Sequence, residues 1–137
     1  MYDDKRENLI TDLRSPKATT RLDAAQQLRR YDDEAVIGAL IEALADTELK
    51  ICQMAMDSLA RIGSPAVQML IEALQHGDSG VRTAAALTLG DIGDEDAVDA
   101  LEDALDDDVE GVQNAAAEAL NRIGTGQALA AVARWRG

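Results

Sequence analysis

The chain repeats itself about every 31 residues, and this period limits its possible folds more than any other feature. Segments of one shared pattern begin at Thr20, Ile51, Val81 and Val112, so successive starts lie 31, 30 and 31 residues apart. A period of this length predicts a solenoid, in which each unit buries its apolar face only by stacking on its neighbours. Such a stack presents long, shallow surfaces that suit the binding of a macromolecule better than the enclosure of a small substrate.

Each unit is predicted to contain two helices, helix A and then helix B. Helix A ends at an apolar residue that is followed by glycine in three units, at Gly63, Gly93 and Gly124. Glycine favours this place because it adopts positive φ at little cost. Helix B then begins behind a capping side chain such as Asp94 or Thr125.

The B helices carry an apolar stripe whose spacing of three and then four residues predicts amphipathic helices. The stripe positions are Leu9 and Leu13; Ile37, Leu40 and Leu44; Val67, Leu70 and Leu74; Val98, Leu101 and Leu105; and Leu129, Val132 and Arg136. The first pair lacks a preceding helix A, so the chain is predicted to begin with half a unit.

These patterns predict one all-α domain of about nine helices. Its half unit is expected at residues 1–14 and its four full units at residues 15–46, 47–76, 77–107 and 108–137. We expect a right-handed superhelix with the A helices outside and the B helices lining a concave inner face. With no Phe, one Trp and two Tyr, the core must consist of Ala, Leu, Ile, Val and Met.

The net charge of −13 repels nucleic-acid backbones and anionic lipid surfaces, so neither is an expected partner. The acids are 17 Asp and 9 Glu, and the bases are 10 Arg and 3 Lys. This bias is typical of proteins that work in high salt, where counter-ions screen the self-repulsion of an acidic surface. The acidity therefore has two interpretations, adaptation to salt or a docking face for a basic partner.

The sequence also limits the compartment. Five charged residues occupy the first ten positions, where a secretion signal requires an apolar run, and no apolar stretch reaches eighteen residues. We expect a soluble cytoplasmic protein. Cys52 is the one cysteine, which excludes an internal disulfide and a cysteine-based zinc cluster.

The segment VRTAAALTLGDIGDEDAV, residues 81–98, resembles HEAT-like repeats of the phycobilisome-lyase type, and the resemblance extends over residues 7–135. It implies an α-solenoid. Repeats of this type occur in phycobilin lyase subunits, deoxyhypusine hydroxylases and small scaffold proteins. The hydroxylases need several His-Glu pairs for two irons, whereas this chain has one histidine, His76, followed by Gly77. A bilin lyase-like subunit or chromophore-protein assembly factor stays the alternative to a non-catalytic adaptor, although no aromatic or histidine-rich groove is evident.

The candidate binding residues lie on the B helices, one turn away from the stripe, where the concave face is expected. Equivalent positions hold Glu42, Glu72, Asp103 and Arg134, and they are flanked by Gln68, Asp99 and Glu102. We predict that these acids receive a basic segment of a partner protein. The alternative is a solvated helix face with no specific role.

Trp135 has two interpretations, a cover for the open end of the core and an anchor for a partner or a second copy. Arg21 and Arg82 begin A helices and are predicted to pair with turn acids such as Asp46 or Asp78.

Three further motifs carry little chemistry. The acidic run at residues 106–111 imitates the start of a calcium loop but has Ala117 where a bidentate glutamate is required. The glycines at 124 and 126 follow a helix, whereas a dinucleotide motif needs a preceding strand. Cys52 needs a nearby base to act as a nucleophile, and the one histidine, His76, lies near the end of helix B in the same unit, so a catalytic pairing is possible but poorly motivated. We therefore expect no catalytic, cofactor or metal site. The expected oligomeric state is a monomer or a weak oligomer.

Overall fold

The computed structural model of the protein describes residues 4–137. Within this range all regular secondary structure is helical. The α-helices are α1 (Asp4–Asp12), α2 (Ala18–Gln27), α3 (Glu34–Ala43), α4 (Leu49–Ile62), α5 (Val67–Ala73), α6 (Ser79–Ile92), α7 (Val98–Ala104), α8 (Glu110–Ile123) and α9 (Gly126–Arg136). Short 3-10 turns at Leu28–Arg30, Ser64–Ala66 and Glu95–Ala97 join neighbouring helices. The predicted all-α helical-repeat class is confirmed for the described residues.

The helices alternate as the repeat predicts, with α2, α4, α6 and α8 as A helices and α1, α3, α5, α7 and α9 as B helices. The chain divides into two compact units, one ending at Ala66 and the other beginning at Val67. These are the first and second unit from here on, as distinct from the repeats of the sequence. This boundary lies inside the predicted repeat 47–76, between its two helices. The assignment of one domain stays a prediction.

The core of the first unit consists of aliphatic side chains from both helix types. Leu28, Leu40 and Leu59 are fully buried, and burial of a leucine side chain contributes about 1.5–3 kcal/mol. The buried hydroxyl of Ser58 on α4 donates to the Ala25 carbonyl on α2 at 2.6 Å. This bond ties the two A helices together while satisfying a buried polar group.

In the second unit, α6 and α8 approach so closely that their contact requires glycine. A Cβ atom added at Gly90 would lie 2.7 Å from the Ala119 Cα and 2.9 Å from the Ala119 Cβ. Alanines at 84, 86 and 115 are buried along the same two helices. Small residues let the helix backbones approach, so the alanine-rich pattern has a direct packing role.

The helix ends agree with the sequence. Gly63, Gly93 and Gly124 have φ of 77°, 78° and 71°. Thr125 Oγ1 caps α9 by accepting from the Ala128 amide, and Asp94 accepts from the Asp96 amide. These predicted stop and start signals are confirmed.

A part-buried ion pair at repeat-equivalent positions is found in both compact units. Arg21 Nε bonds Asp46 Oδ2 at 2.8 Å, as predicted. Arg82 Nε bonds Asp107 Oδ2 at 2.9 Å, so the suggested Asp78 partner was wrong. Asp78 instead caps α6 by accepting from the Gly80 amide, which leaves the next turn to supply the carboxylate for Arg82.

The predicted stripe is wrong at Leu129. Its side chain is 48% exposed, whereas Val98, the equivalent residue of α7, is 3% exposed. Buried residues of α9 are Ala128, Ala131 and Val132. Leu129 lies on the side of α9 against which no further described helix packs. Among the described residues, no helix combines the length and apolar character needed to cross a membrane.

Candidate functional site

A groove in the first unit lies between the successive B helices α1 and α3. It has a volume of about 170 Å³ and is lined by Ile10, Leu13, Arg14, Ala39, Glu42, Ala43 and Asp46. Most of these residues are apolar, and of the two acids Glu42 is exposed whereas Asp46 is largely buried. One of the predicted binding residues, Glu42, therefore lines a concave surface and does not stand alone on a helix.

The chain's own arginine already binds this carboxylate. Arg14 Nη2 lies 2.9 Å from Glu42 Oε2. The two side chains are 70% and 66% exposed, so the ion pair is open to solvent and contributes little to stability. Asp46 at the same groove is held by Arg21.

The repeat builds a second groove between α5 and α7 in the second unit. Its volume is about 340 Å³, and it is lined by Leu74, Gln75, His76, Arg82, Asp103, Ala104, Asp106, Asp107 and Asp108. Four of these residues are acidic, and Arg82 is the one arginine among them. The predicted binding residue Asp103 is exposed here.

Each groove contains one carboxylate that is fixed by an internal arginine. The hydrogen bond from Arg82 lowers the pKa of Asp107, and the Val109 amide adds to the effect. At Asp46, burial is the largest single influence and opposes ionisation, but the hydrogen bonds from Arg21 and the Glu48 amide, together with the Arg21 charge, outweigh it and lower the pKa. Both groups therefore stay ionised while serving the fold, and the remaining acids are those available to a partner.

The other predicted binding residues of the second unit differ in whether another side chain bonds them. Gln127 of α9 donates to Asp99 at 2.6 Å and to Glu102 at 3.1 Å. Arg134 also bonds Glu102, at 3.2 Å. Glu72 and Gln68 are exposed on α5, and no described side chain bonds the Glu72 carboxylate. The predicted acidic face is thus partly occupied by α9 and partly open.

Trp135 is half-buried and lies beside α8. It lines a surface groove together with Asn114, Ala117, Glu118, Asn121, Arg122 and Arg136. Ala117 is only 4% exposed there. This placement supports the interpretation of Trp135 as a cover for the end of the core.

The structure also places the weaker motifs, namely the acidic turn, Cys52 and His76. No group of three or more His, Cys, Asp or Glu side chains in residues 4–137 has the geometry of a metal site. Burial, and then the nearby Asp46 carboxylate, raise the pKa of the Cys52 thiol. A raised pKa disfavours the thiolate, which is the nucleophilic form. His76 Nδ1 accepts from the Asp78 amide and so serves the turn before α6.

Sequence reasoning missed the two grooves. It identified Glu42 and Asp103 as equivalent, but it did not include Arg14 and Gln75, which occupy equivalent positions one B helix earlier. Aligning the residues that follow Leu13 and Leu74 would have shown both. The difference between arginine and glutamine at that position distinguishes the two grooves.

The HEAT repeats family model matches residues 50–121 and 68–135. No curated protein matches the chain. The chain is similar to the complex of CpcE and CpcF of phycocyanin lyase from Nostoc sp. PCC7120, with 30% identity and a TM-score of 0.58. That match covers 96% of this chain and 63% of the other.

Two engineered proteins of known crystal structure are also similar. One shares 24% identity at a TM-score of 0.56, covering 98% of this chain and 69% of the other. The second shares 26% identity at a TM-score of 0.56, covering 99% and 70%. The family matches together span more than half of the sequence and coincide with helix pairs α4 to α9, so the chain belongs to the HEAT-repeat family.

Proposed function

We propose that this chain is a non-catalytic protein-interaction scaffold whose B-helix faces bind a basic segment of a partner protein. The proposal includes the residues predicted from the sequence: Glu42, Glu72, Asp103, Gln68, Asp99, Glu102, Arg134 and Trp135. The first seven supply charge and hydrogen bonding, and Trp135 belongs to the adjoining end of the second unit. Membership of the HEAT-repeat family supports a scaffold, because stacked helix pairs expose long surfaces for other proteins.

The observation that carries the proposal is the presence of exposed carboxylates at equivalent B-helix positions in both units. Glu42, Glu72 and Asp103 are all exposed, and the first already binds a guanidinium. Exposed acids on each unit attract a basic segment from a distance, while the shape of the surface sets the affinity.

Affinity capture from native extract tests the proposal. The bait is the wild-type chain, compared with a triple variant carrying Glu42→Gln, Glu72→Gln and Asp103→Asn. We expect the wild type to retain a specific protein that the triple variant loses. The salt concentration must match that of the host, because screening changes charged contacts steeply.

A matched control removes three acids from A helices by Asp23→Asn, Glu110→Gln and Glu118→Gln, all exposed in the structure. It changes the net charge equally, so it should retain the partner if the position of the acids matters. Retention of the same protein by the B-helix triple variant would rule out the docking role.

A second candidate function is a phycobilin lyase-like subunit or chromophore-protein assembly factor. The similarity to the phycocyanin lyase complex favours it. A visible absorbance spectrum of the purified protein, with and without added bilin, separates the candidates. Bound or transferred chromophore would favour the lyase-like reading, and an unchanged bilin spectrum would favour the scaffold.

A further inference from the structure

The two B-helix grooves are repeat copies of one another. Leu13, Glu42, Ala43 and Asp46 of the first groove correspond to Leu74, Asp103, Ala104 and Asp107 of the second. In both grooves an internal arginine holds the last of these acids, as Arg21 holds Asp46 and Arg82 holds Asp107. The two sites therefore share a leucine, an alanine, a carboxylate that an arginine holds and a second, exposed carboxylate.

They differ at the position that follows the leucine of the preceding B helix. In the first groove this residue is Arg14, whose guanidinium lies 2.9 Å from Glu42. In the second groove it is Gln75, which is shorter and uncharged. No side chain in residues 4–137 bonds Asp103, so in this part of the chain the carboxylate that corresponds to Glu42 has no bonded cation.

The second groove is also larger and more acidic. Its volume is about 340 Å³, against about 170 Å³ for the groove that Arg14 lines. Asp106 and Asp108 lie beside Asp103 and are exposed. Arg82 adds no free positive charge, because it bonds Asp107 and the carbonyl oxygens of His76 and Gly77.

From this comparison we infer that the groove between α5 and α7 binds an arginine side chain of the partner protein, in the place that Arg14 takes in the first groove. The inference rests on the proposed function and specifies the partner's chemistry. Arginine fits because its planar guanidinium can bond two carboxylate oxygens at once, and Asp103, Asp106 and Asp108 are exposed in this groove. Lysine offers a point charge without the planar fork.

The test is an NMR titration of the full chain with N-acetyl-arginine amide. Saturable shifts of the Gln75 and Asp103 signals are expected. The lysine analogue should bind more weakly, and the uncharged citrulline analogue should cause no saturable shift there. Shifts that do not saturate, or equal shifts with citrulline, would overturn the inference.

Two exchanges between the grooves sharpen the test. Gln75→Arg supplies the second groove with its own arginine, so it should weaken binding of the arginine probe about fivefold or more, which corresponds to about 1 kcal/mol. Arg14→Gln should open the first groove and produce new saturable shifts at Glu42. Gln26→Arg is the control, because it adds the same charge to exposed surface of α2, outside the lining of both grooves, and should leave the affinity near that of wild type.

Unchanged probe affinity in the Gln75→Arg variant would overturn the inference. The proposed function fails separately. Capture of a partner that is insensitive to Gln75→Arg would leave the scaffold standing without this site, whereas a bound probe with no captured protein would leave the site standing without the scaffold.

Discussion

At the residue scale, the fold depends on a few positions where only one side chain fits. Gly90 is the clearest, since an added methyl group would meet the backbone of α8 at 2.7 Å. Non-bonded carbon atoms in proteins do not approach one another so closely, so an alanine at this position would force one of the two helices to shift. Overpacking of this kind costs about 1–3 kcal/mol.

We predict that Gly90→Ala lowers the unfolding free energy by about 1–3 kcal/mol, measured by urea denaturation. Gly111→Ala is the matched control, because Gly111 lies in the first turn of α8 with nothing within 4 Å of an added Cβ. That variant should be neutral or gain up to about 1 kcal/mol. Equal stabilities for the two variants would contradict the close contact of α6 and α8.

The ion pair of Arg82 and Asp107 predicts a pH-dependent contribution to stability. The folded state lowers the pKa of Asp107, so the contribution is complete above the ordinary carboxyl pKa of about 3.9. It is lost as the pH falls through the lower folded value.

Asp107→Asn should therefore lower the melting temperature by a few degrees at pH 7, and the difference from wild type should shrink below about pH 4. Thermal unfolding followed by circular dichroism at several pH values measures it. The exposed neighbour Asp108 provides the control variant, Asp108→Asn, which should change little. A constant difference at all pH values would show that the ion pair is not the cause.

At the element scale, the repeat pattern predicted which helices form and where they end, because those features depend on local sequence. Glycine at a helix end and a capping oxygen at the next start act within a few residues. The pattern did not predict how closely equivalent helices pack. Arg29 occupies the repeat position of Gly90 and bonds Asp57 of α4 at 2.9 Å. A groove of about 270 Å³ lies between α2 and α4.

Part of the candidate site was predictable from the sequence, and part was not. The column of Glu42, Glu72 and Asp103 follows from the period alone. Whether a carboxylate is already bonded within the chain depends on side chains that precede or follow its own helix. Arg14 bonds Glu42, and Gln127 bonds Asp99. Those pairings require the packed structure, and so does the exposure of Leu129.

Leu129→Gln should therefore change the unfolding free energy by less than about 0.5 kcal/mol. By contrast, Leu101→Ala in α7, where the side chain is fully buried, should cost about 2–5 kcal/mol. Chemical denaturation of both variants provides the measurement. A large loss in Leu129→Gln would restore the original stripe assignment for α9.

At the scale of the whole molecule, charge dominates the behaviour of the chain. A net charge of −13 in 137 residues produces self-repulsion, which counter-ions reduce as the Debye length shortens from about 10 Å at 0.1 M to about 3 Å at 1 M. The same repulsion discourages nonspecific association between copies of the chain.

We predict that the melting temperature rises between low and molar potassium chloride, because screening relieves the repulsion. The result separates the two interpretations of the acidity, since adaptation to salt concerns the whole surface and docking concerns the B-helix faces. A melting temperature that is flat or falling would remove the high-salt interpretation while leaving the docking proposal in place.

The central claim is that the acids on the B helices bind a partner's basic segment. Isothermal titration of the captured partner, at the salt concentration of the host, tests it most directly. The account predicts that the variant with Glu42→Gln, Glu72→Gln and Asp103→Asn binds at least about tenfold more weakly than wild type, a change of about 1.4 kcal/mol. Equal affinity for the wild type and this variant would contradict it.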